Sequence, residues 1–220
     1  MRLLRILAMA TAVAALLAQP SAAQGGRQFK DAWFWGAKTG TLVYSSATTS
    51  SSAAPLFGGE WLITRTHGGL YVAFDQTYLT TRGGFAGRDL TGQAVTQYVD
   101  VGNLRRLTAA MMAFPMQQPN IHPYAGIGFS FYQLGHVNLA AGSPNPAQAD
   151  SIQARKTTVS PILIVGTQVR LLPASVFIQG FASPTQKAFF LSNDAETRTF
   201  QFGFEFGVRY NVGGSIDRGR

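Results

Sequence analysis

From residue 199 to residue 212 the chain alternates without a break. Phe200, Phe202, Phe204, Phe206, Val208, Tyr210 and Val212 are apolar or aromatic, and every odd position between them is polar or glycine. A period of two places these sets on opposite faces of an extended strand, whereas a helical period of 3.6 would mix them. One face is bulky and aromatic. The other carries Glu205 and Arg209 beside two glycines, the tight polar face expected of a strand whose outside meets hydrocarbon and whose inside meets a narrow lumen.

Seven further strands are predicted upstream. The first, 29–44, sets Trp33, Trp35, Ala37 and Thr39 on one face and Phe34, Gly36, Lys38 and Gly40 on the other; a Ser/Thr/Ala-rich segment, 45–55, follows it as a loop. The second, 56–66, turns at His67-Gly68-Gly69 into a third, 70–80, which is a hairpin signature. A polar, glycine-rich stretch, 81–93, leads to a fourth strand, 94–114, whose register stays open around residues 103–106. After a short turn at 115–120, the fifth strand, 123–132, carries Ala125, Ile127, Phe129 and Phe131 on one face. A loop over 138–155 precedes a sixth strand, 157–171, and the turn 172–174 joins it to a seventh, 175–190. A short link, 192–195, leads into the eighth.

The connections are thus expected to be long after strands one, three and five and short after two, four and six. Membrane barrels show this alternation, with short turns on the periplasmic side and long loops outside; the final link is short for an outer loop. Aromatic rings favour both membrane interfaces. Two girdles are expected: Trp33, Trp35, Tyr71, Phe114, Tyr124 and Tyr210 at the periplasmic end, and Tyr44, Tyr78, Tyr98, Tyr132, Phe189, Phe190 and Phe200 at the outer end. The fold class expected is an all-β, eight-stranded antiparallel up-and-down transmembrane barrel over residues 24–212.

The N-terminus reads differently. Arg2 and Arg5 precede an apolar run from Ile6 to Ala18, and Ser21-Ala22-Ala23 offers small residues for cleavage, so residues 1–23 are expected to be a secretory signal peptide. The run is shorter than the roughly 20 residues a membrane-spanning helix needs. Residues 213–220 form a short tail. Without Arg2 and Arg5 the 18 basic residues become 16 against 10 acidic ones. The excess is dispersed rather than gathered into a stripe, which argues against nucleic acid and allows weak attraction to anionic lipid headgroups. There is no cysteine, which excludes disulfides, thiolate nucleophiles and Cys-containing zinc sites.

The chain resembles the small eight-stranded outer-membrane proteins typified by the transmembrane domain of the OmpA type. Glu205, Gly207, Tyr210 and Val212 match the polar-x-Gly-x-x-aromatic-x-hydrophobic signal of a final strand, and Pro123-Tyr124-Ala125-Gly126-Ile127-Gly128 is similar to segments of that group. The resemblance implies a bacterial outer-membrane location and partners in outer-membrane lipid, lipopolysaccharide and the barrel-assembly machinery. No second, peptidoglycan-binding domain is expected.

The candidate chemistry lies in the lumen. Lys38, Glu60, Asp75, Arg106, Glu205 and Arg209 are expected to point inward, where charges must be paired or wetted. A structural plug is the first reading, and a narrow channel for small or hydrophobic solutes the second. Arg82, Arg88, Arg155 and Lys156 are candidates for loop contacts with anionic lipopolysaccharide. Some barrels of this size, by resemblance, hydrolyse or transfer acyl chains of lipid A, which needs a histidine beside a serine with a carboxylate behind it. His67 lies in a turn, His122 precedes Pro123, and His136 is six residues from Ser130, about 20 Å along an extended strand. No enzyme, cofactor or metal is therefore expected. Gly36-Ala37-Lys38-Thr39 lacks the Gly-Lys pair of a phosphate loop, and Gly-x-Ser-x-Tyr at Ser130 fails the nucleophile-elbow pattern. A soluble lipocalin-like barrel would need polar residues outward, which the phenylalanine face contradicts.

Overall fold

The structure is a computed structural model that describes residues 31–46, 49–65, 67–89, 91–115, 120–139, 152, 156–171, 173–185, 189, 191 and 199–214. The proposed signal segment, Arg155 and most of the tail lie outside these residues. Eight strands follow in chain order: β1 (Ala32–Ser46), β2 (Thr49–Thr64), β3 (Gly68–Arg88), β4 (Ala94–Ala113), β5 (Ile121–Leu139), β6 (Thr157–Leu171), β7 (Ala174–Thr185) and β8 (Thr199–Gly214). Each pairs antiparallel with the next, and β8 pairs with β1, so the sheet closes into a barrel. Closure removes the edges that an open sheet would expose.

Face alternation runs round the wall as the sequence pattern requires. In β8, Gln201, Glu205, Arg209 and Asn211 are buried while Phe200, Phe202, Phe204, Phe206, Val208, Tyr210 and Val212 are exposed. In β5, Ile127, Phe129 and Phe131 are exposed, and Tyr124, Ser130 and Tyr132 are buried. The outer surface is a continuous apolar band also carrying Met111, Leu163, Val165 and Ile178. In water such a patch would drive aggregation; it fits a bilayer.

The expected girdles hold only in part. Trp33, Trp35 and Tyr210 face out, and Trp33 and Trp35 pack on Trp61, with ring centroids 5.4 and 5.9 Å apart. At the opposite end Tyr78, Tyr98 and Phe200 face out, and Phe57 meets Tyr78 at 6.1 Å. Tyr71, Phe114, Tyr124, Tyr44, Tyr132 and Phe189 are buried instead. Tyr44, Tyr71, Tyr124 and Tyr132 occupy inward positions of their strands, and Tyr71 and Tyr124 bond to lumen charges, while Phe114 and Phe189 lie beyond the ends of β4 and β7. Phe190 lies outside the described residues.

The expected loops also change. The Ser/Thr/Ala-rich segment 45–55 is largely strand, with Ser52 opposite Tyr44 and Pro55 opposite Thr41. The glycine-rich stretch 81–93 is strand as far as Arg88, which pairs with Ala94. Ser and Thr accept extended backbone readily, so these hairpins continue where the apolar alternation falls silent. β5 likewise runs on to Leu139. β7 stops earlier than expected, at Thr185, so the last connection is longer than four residues. The first and third connections, expected to be long, are only residues 47–48 and 89–93, so the long–short alternation fails there, whereas the last is longer than the short link expected.

The open register of β4 has a simple cause. Leu104 pairs with Thr77 and Gly102 with Thr80, so Tyr78 and Leu79 face the single residue Asn103, whose φ is 56°. This bulge switches the inward set from Val99 and Val101 to Leu104, Arg106 and Thr108.

Candidate functional site

All six charged residues predicted for the lumen lie inside the barrel and are buried. Lys38 Nζ stands 2.9 Å from Asp75 Oδ1 and 2.8 Å from Glu205 Oε2. Arg106 donates to Asp75 Oδ2 through Nε at 2.9 Å and Nη2 at 2.7 Å, and Nη2 also reaches Glu205. These four residues form a closed ring of alternating sign. Arg209 pairs with Glu60 and donates to Gln168 Oε1 at 2.6 Å.

Neutral side chains tie the ring to the pair. Tyr71 donates to Glu60 Oε2 at 3.0 Å and accepts from Lys38 Nζ at 3.0 Å. Gln179 donates to Glu205 Oε2 at 2.6 Å and to Tyr71 Oη at 3.1 Å, and accepts from Tyr124 Oη at 2.8 Å. The two guanidinium groups lie over aromatic rings, Arg106 over Phe181 at 3.8 Å and Arg209 over Phe177 at 4.0 Å, a favourable arrangement for a desolvated cation. Every strand contributes: Lys38 from β1, Glu60 from β2, Asp75 and Tyr71 from β3, Arg106 from β4, Tyr124 from β5, Gln168 from β6, Gln179 from β7, Glu205 and Arg209 from β8. Three cations meet three carboxylates, so the cluster balances in charge.

Tyr71, Tyr124, Gln168, Gln179, Phe177 and Phe181 were missing from the sequence-derived set. Their inward parity on their strands was the available signal; the two tyrosines had been assigned outward by height alone.

The loop set is dispersed. Arg82 lies on β3 and pairs with Asp100 at 3.1 Å, both exposed. Arg88 ends β3 and donates to the Gly92 carbonyl at 2.8 Å. Lys156 is half-buried beside β6, and its carbonyl accepts the Leu134 amide at 3.0 Å. In the final-strand motif Tyr210 and Val212 face outward and Glu205 inward. A side chain on Gly207 would stand 2.9 Å from the Lys38 Cα, so this glycine permits the close approach of β8 to β1.

The histidines stay apart from Ser130. His136 is exposed, His67 lies in the β2–β3 turn, and His122 is buried opposite Gln168. Ser130 shares its hydroxyl with Thr108 at 2.8 Å.

No family model and no curated protein matches the chain. Solved structures do. Neisserial surface protein A, NspA, aligns with a TM-score of 0.56 at 13% identity, covering 82% of this chain and 97% of that one. The outer membrane protein OprG from Pseudomonas aeruginosa aligns at 0.46 and 10% identity over 84% and 98% of the two chains. Ail, the attachment invasion locus protein of Yersinia pestis, aligns at 0.43 and 13% identity over 83% and 99%. The chain has the fold of the small eight-stranded outer-membrane barrels.

Proposed function

We propose that this protein is a non-enzymatic outer-membrane barrel, exported by residues 1–23, whose lumen is sealed and whose working surface is the end opposite the chain termini. The observation that carries the sealed lumen is the charge cluster, to which every strand contributes a side chain. Charges in so narrow a space are stable only when paired and hydrogen-bonded, and here the paired network draws a side chain from all eight strands. The outward Phe and aliphatic band supports insertion in lipid, and Glu205, Gly207, Tyr210 and Val212 are the residues offered to the barrel-assembly machinery. The separation of Ser130 from all three histidines supports a non-enzymatic role.

Single-channel recording in planar bilayers tests the seal. The intact protein should give no conductance steps, and regular steps abolished by charge swaps at Glu205 or Arg209 would replace the plug with a channel. The working surface includes the long β3–β4 hairpin with Arg82 and Arg88, for which the ligand proposed is lipopolysaccharide. That contact should weaken as ionic strength rises, and an affinity unchanged by salt would remove it.

A further inference from the structure

On three neighbouring strands the outward face changes from apolar to polar at a single rung of the ladder. Arg105 on β4 lies opposite Gln133 on β5, and Gln133 opposite Thr157 on β6. The next outward rung towards the chain termini is Leu107, Phe131 and Val159. Gln76 on β3 extends the polar rung on the other side of Arg105. Directly opposite residues of an antiparallel pair share a face, and the adjoining Arg106, Tyr132 and Thr158 are buried in the lumen, so the polar rung faces away from it. Between this rung and the far ends of β4, β5 and β6 the outward positions carry no other charge. Arg105 is thus a lone cation at the upper margin of the apolar band.

Its charge is not met by the protein. Arg65 and Arg82, also exposed, have carboxylates at 3.5 and 3.1 Å, Asp31 and Asp100; Arg105 has none among the described residues. Its Nε donates to Gln76 Oε1 at 3.3 Å, and Gln76 Nε2 donates to the Thr77 carbonyl at 3.4 Å, so Gln76 steadies the guanidinium. The terminal nitrogens of Arg105, the Gln133 amide and the Thr157 hydroxyl make no hydrogen bond among the described residues. A cation on the lipid face of a barrel is costly at the midplane and tolerated near the interface. There an anionic headgroup can supply the missing counter-charge. Directly below the apolar rung lies a depression of about 670 Å³ bordered by Ala109, Met111, Ile127, Phe129, Pro161 and Leu163.

We propose that this rung holds the headgroup of a phosphorylated glycolipid of the outer leaflet. Arg105 takes a phosphate through its terminal nitrogens, Gln133 and Thr157 take hydroxyls of the adjoining sugar, and an acyl chain runs over Phe131 into the depression. A guanidinium fork matches phosphate geometry, and an amide and a hydroxyl both donate and accept, as sugar hydroxyls require. The three free groups span two strand spacings, about 10 Å, more than one phosphate occupies. With no carboxylate among them, nothing in the rung repels an anion. The proposal rests on the outer-membrane reading and gives the lipopolysaccharide contact a second place, on the lateral wall and apart from the β3–β4 hairpin.

Native mass spectrometry of the full mature protein released from micelles, with bis-phosphorylated lipid A as probe, reads the site. R105Q should weaken the lipid A adduct by about tenfold, the loss of one charge-assisted contact. Lipid A stripped of its phosphates should bind the unmodified protein as weakly and lose nothing further in R105Q. Q133A/T157A should weaken the adduct several-fold, and R82Q/R88Q, which tests the hairpin contact, should leave the R105Q factor unchanged. Phosphatidylglycerol should respond to R105Q by a smaller factor than lipid A. Equal lipid A affinity in R105Q and the unmodified protein overturns the proposal and leaves the hairpin contact standing. Equal R105Q factors for lipid A and phosphatidylglycerol overturn the glycolipid as occupant. NMR of the unmodified protein is independent of how the variants fold: the Arg105 Nε–H resonance should shift on adding lipid A and stay in place with the dephosphorylated form. An unmoved resonance also overturns the proposal. Conductance, which tests the plug, is unaffected by any of these outcomes.

Discussion

Glu60 and Arg209 offer the sharpest quantitative test of the lumen. Arg209 is wholly buried and its only carboxylate partner among the described residues is Glu60; Glu60 in turn has Arg209 and the Tyr71 hydroxyl. The other four charges close their own ring, so this pair can be removed as a unit. R209M keeps much of the volume over Phe177 but strands a carboxylate; E60M strands a guanidinium. Removing one partner of a buried pair costs about 3–5 kcal/mol, while replacing both with apolar residues is often close to neutral. R209M and E60M should therefore each lose about 3–5 kcal/mol, and R209M/E60M should fall within about 2 kcal/mol of the unmodified protein. The coupling in the double-mutant cycle then exceeds about 3 kcal/mol, at the top of the range for contacting residues. Urea unfolding and refolding in phospholipid vesicles measures it, followed by the fluorescence of Trp33, Trp35 and Trp61, the three tryptophans of the chain. Equal m-values across the four proteins are required for the comparison. Additive losses, with the double variant as unstable as the sum of the singles, would refute the pairing.

Three further outcomes follow from the wall and the loops. Phe206 is 58% exposed near the centre of β8, whereas Val212 lies near its end; F206R should cost about 2–4 kcal/mol in vesicles and V212R about 0–1, and equal costs would contradict a bilayer around this band. Hydrogen bonds from the Thr91 hydroxyl and the Gln93 amide hold the Asp89 carboxyl below its ordinary 3.8. Their contribution to loop order is present above that value and is lost as pH falls through the lowered one; in carboxyl-carbon NMR titrations T91A should raise the midpoint, and an unmoved midpoint removes the assignment. Ala37 and Val208 face each other where β1 meets β8; A37C/V208C should crosslink almost fully, and less so with Lys38, Asp75, Arg106 and Glu205 all replaced by apolar residues. Undiminished crosslinking would show that the ring does not help set the closing register.

The faces of the strands were legible in the sequence because a period of two exposes parity directly: Glu205 and Arg209 between phenylalanines can face only one way. Lys38, Glu60, Asp75 and Arg106 were candidates to join them, although the open register of the fourth strand left Arg106 without a parity of its own. Which charges would meet was not legible, because Lys38 on β1 reaches Asp75 on β3, a strand that is not its neighbour, and that contact exists only once the sheet has closed. Hairpin lengths were misjudged where both faces turn polar, at 45–55 and 81–88, since extended Ser and Thr carry no apolar signal there.

The charge ring also bears on how the wall finds its register. A slip of one residue in β8 would turn Glu205 and Arg209 outward and bring phenylalanines into the lumen, so the apolar pattern alone forbids it. A slip of two keeps every face correct, and the hydrophobic pattern cannot detect it. Such a slip moves the Glu205 carboxylate by about 7 Å along the strand, beyond the 2.8 Å contact that it makes with Lys38 and away from Arg106. Two buried cations would then share the single carboxylate of Asp75. The alternation thus selects the face, and the ion pairs distinguish between registers that the alternation treats as equal.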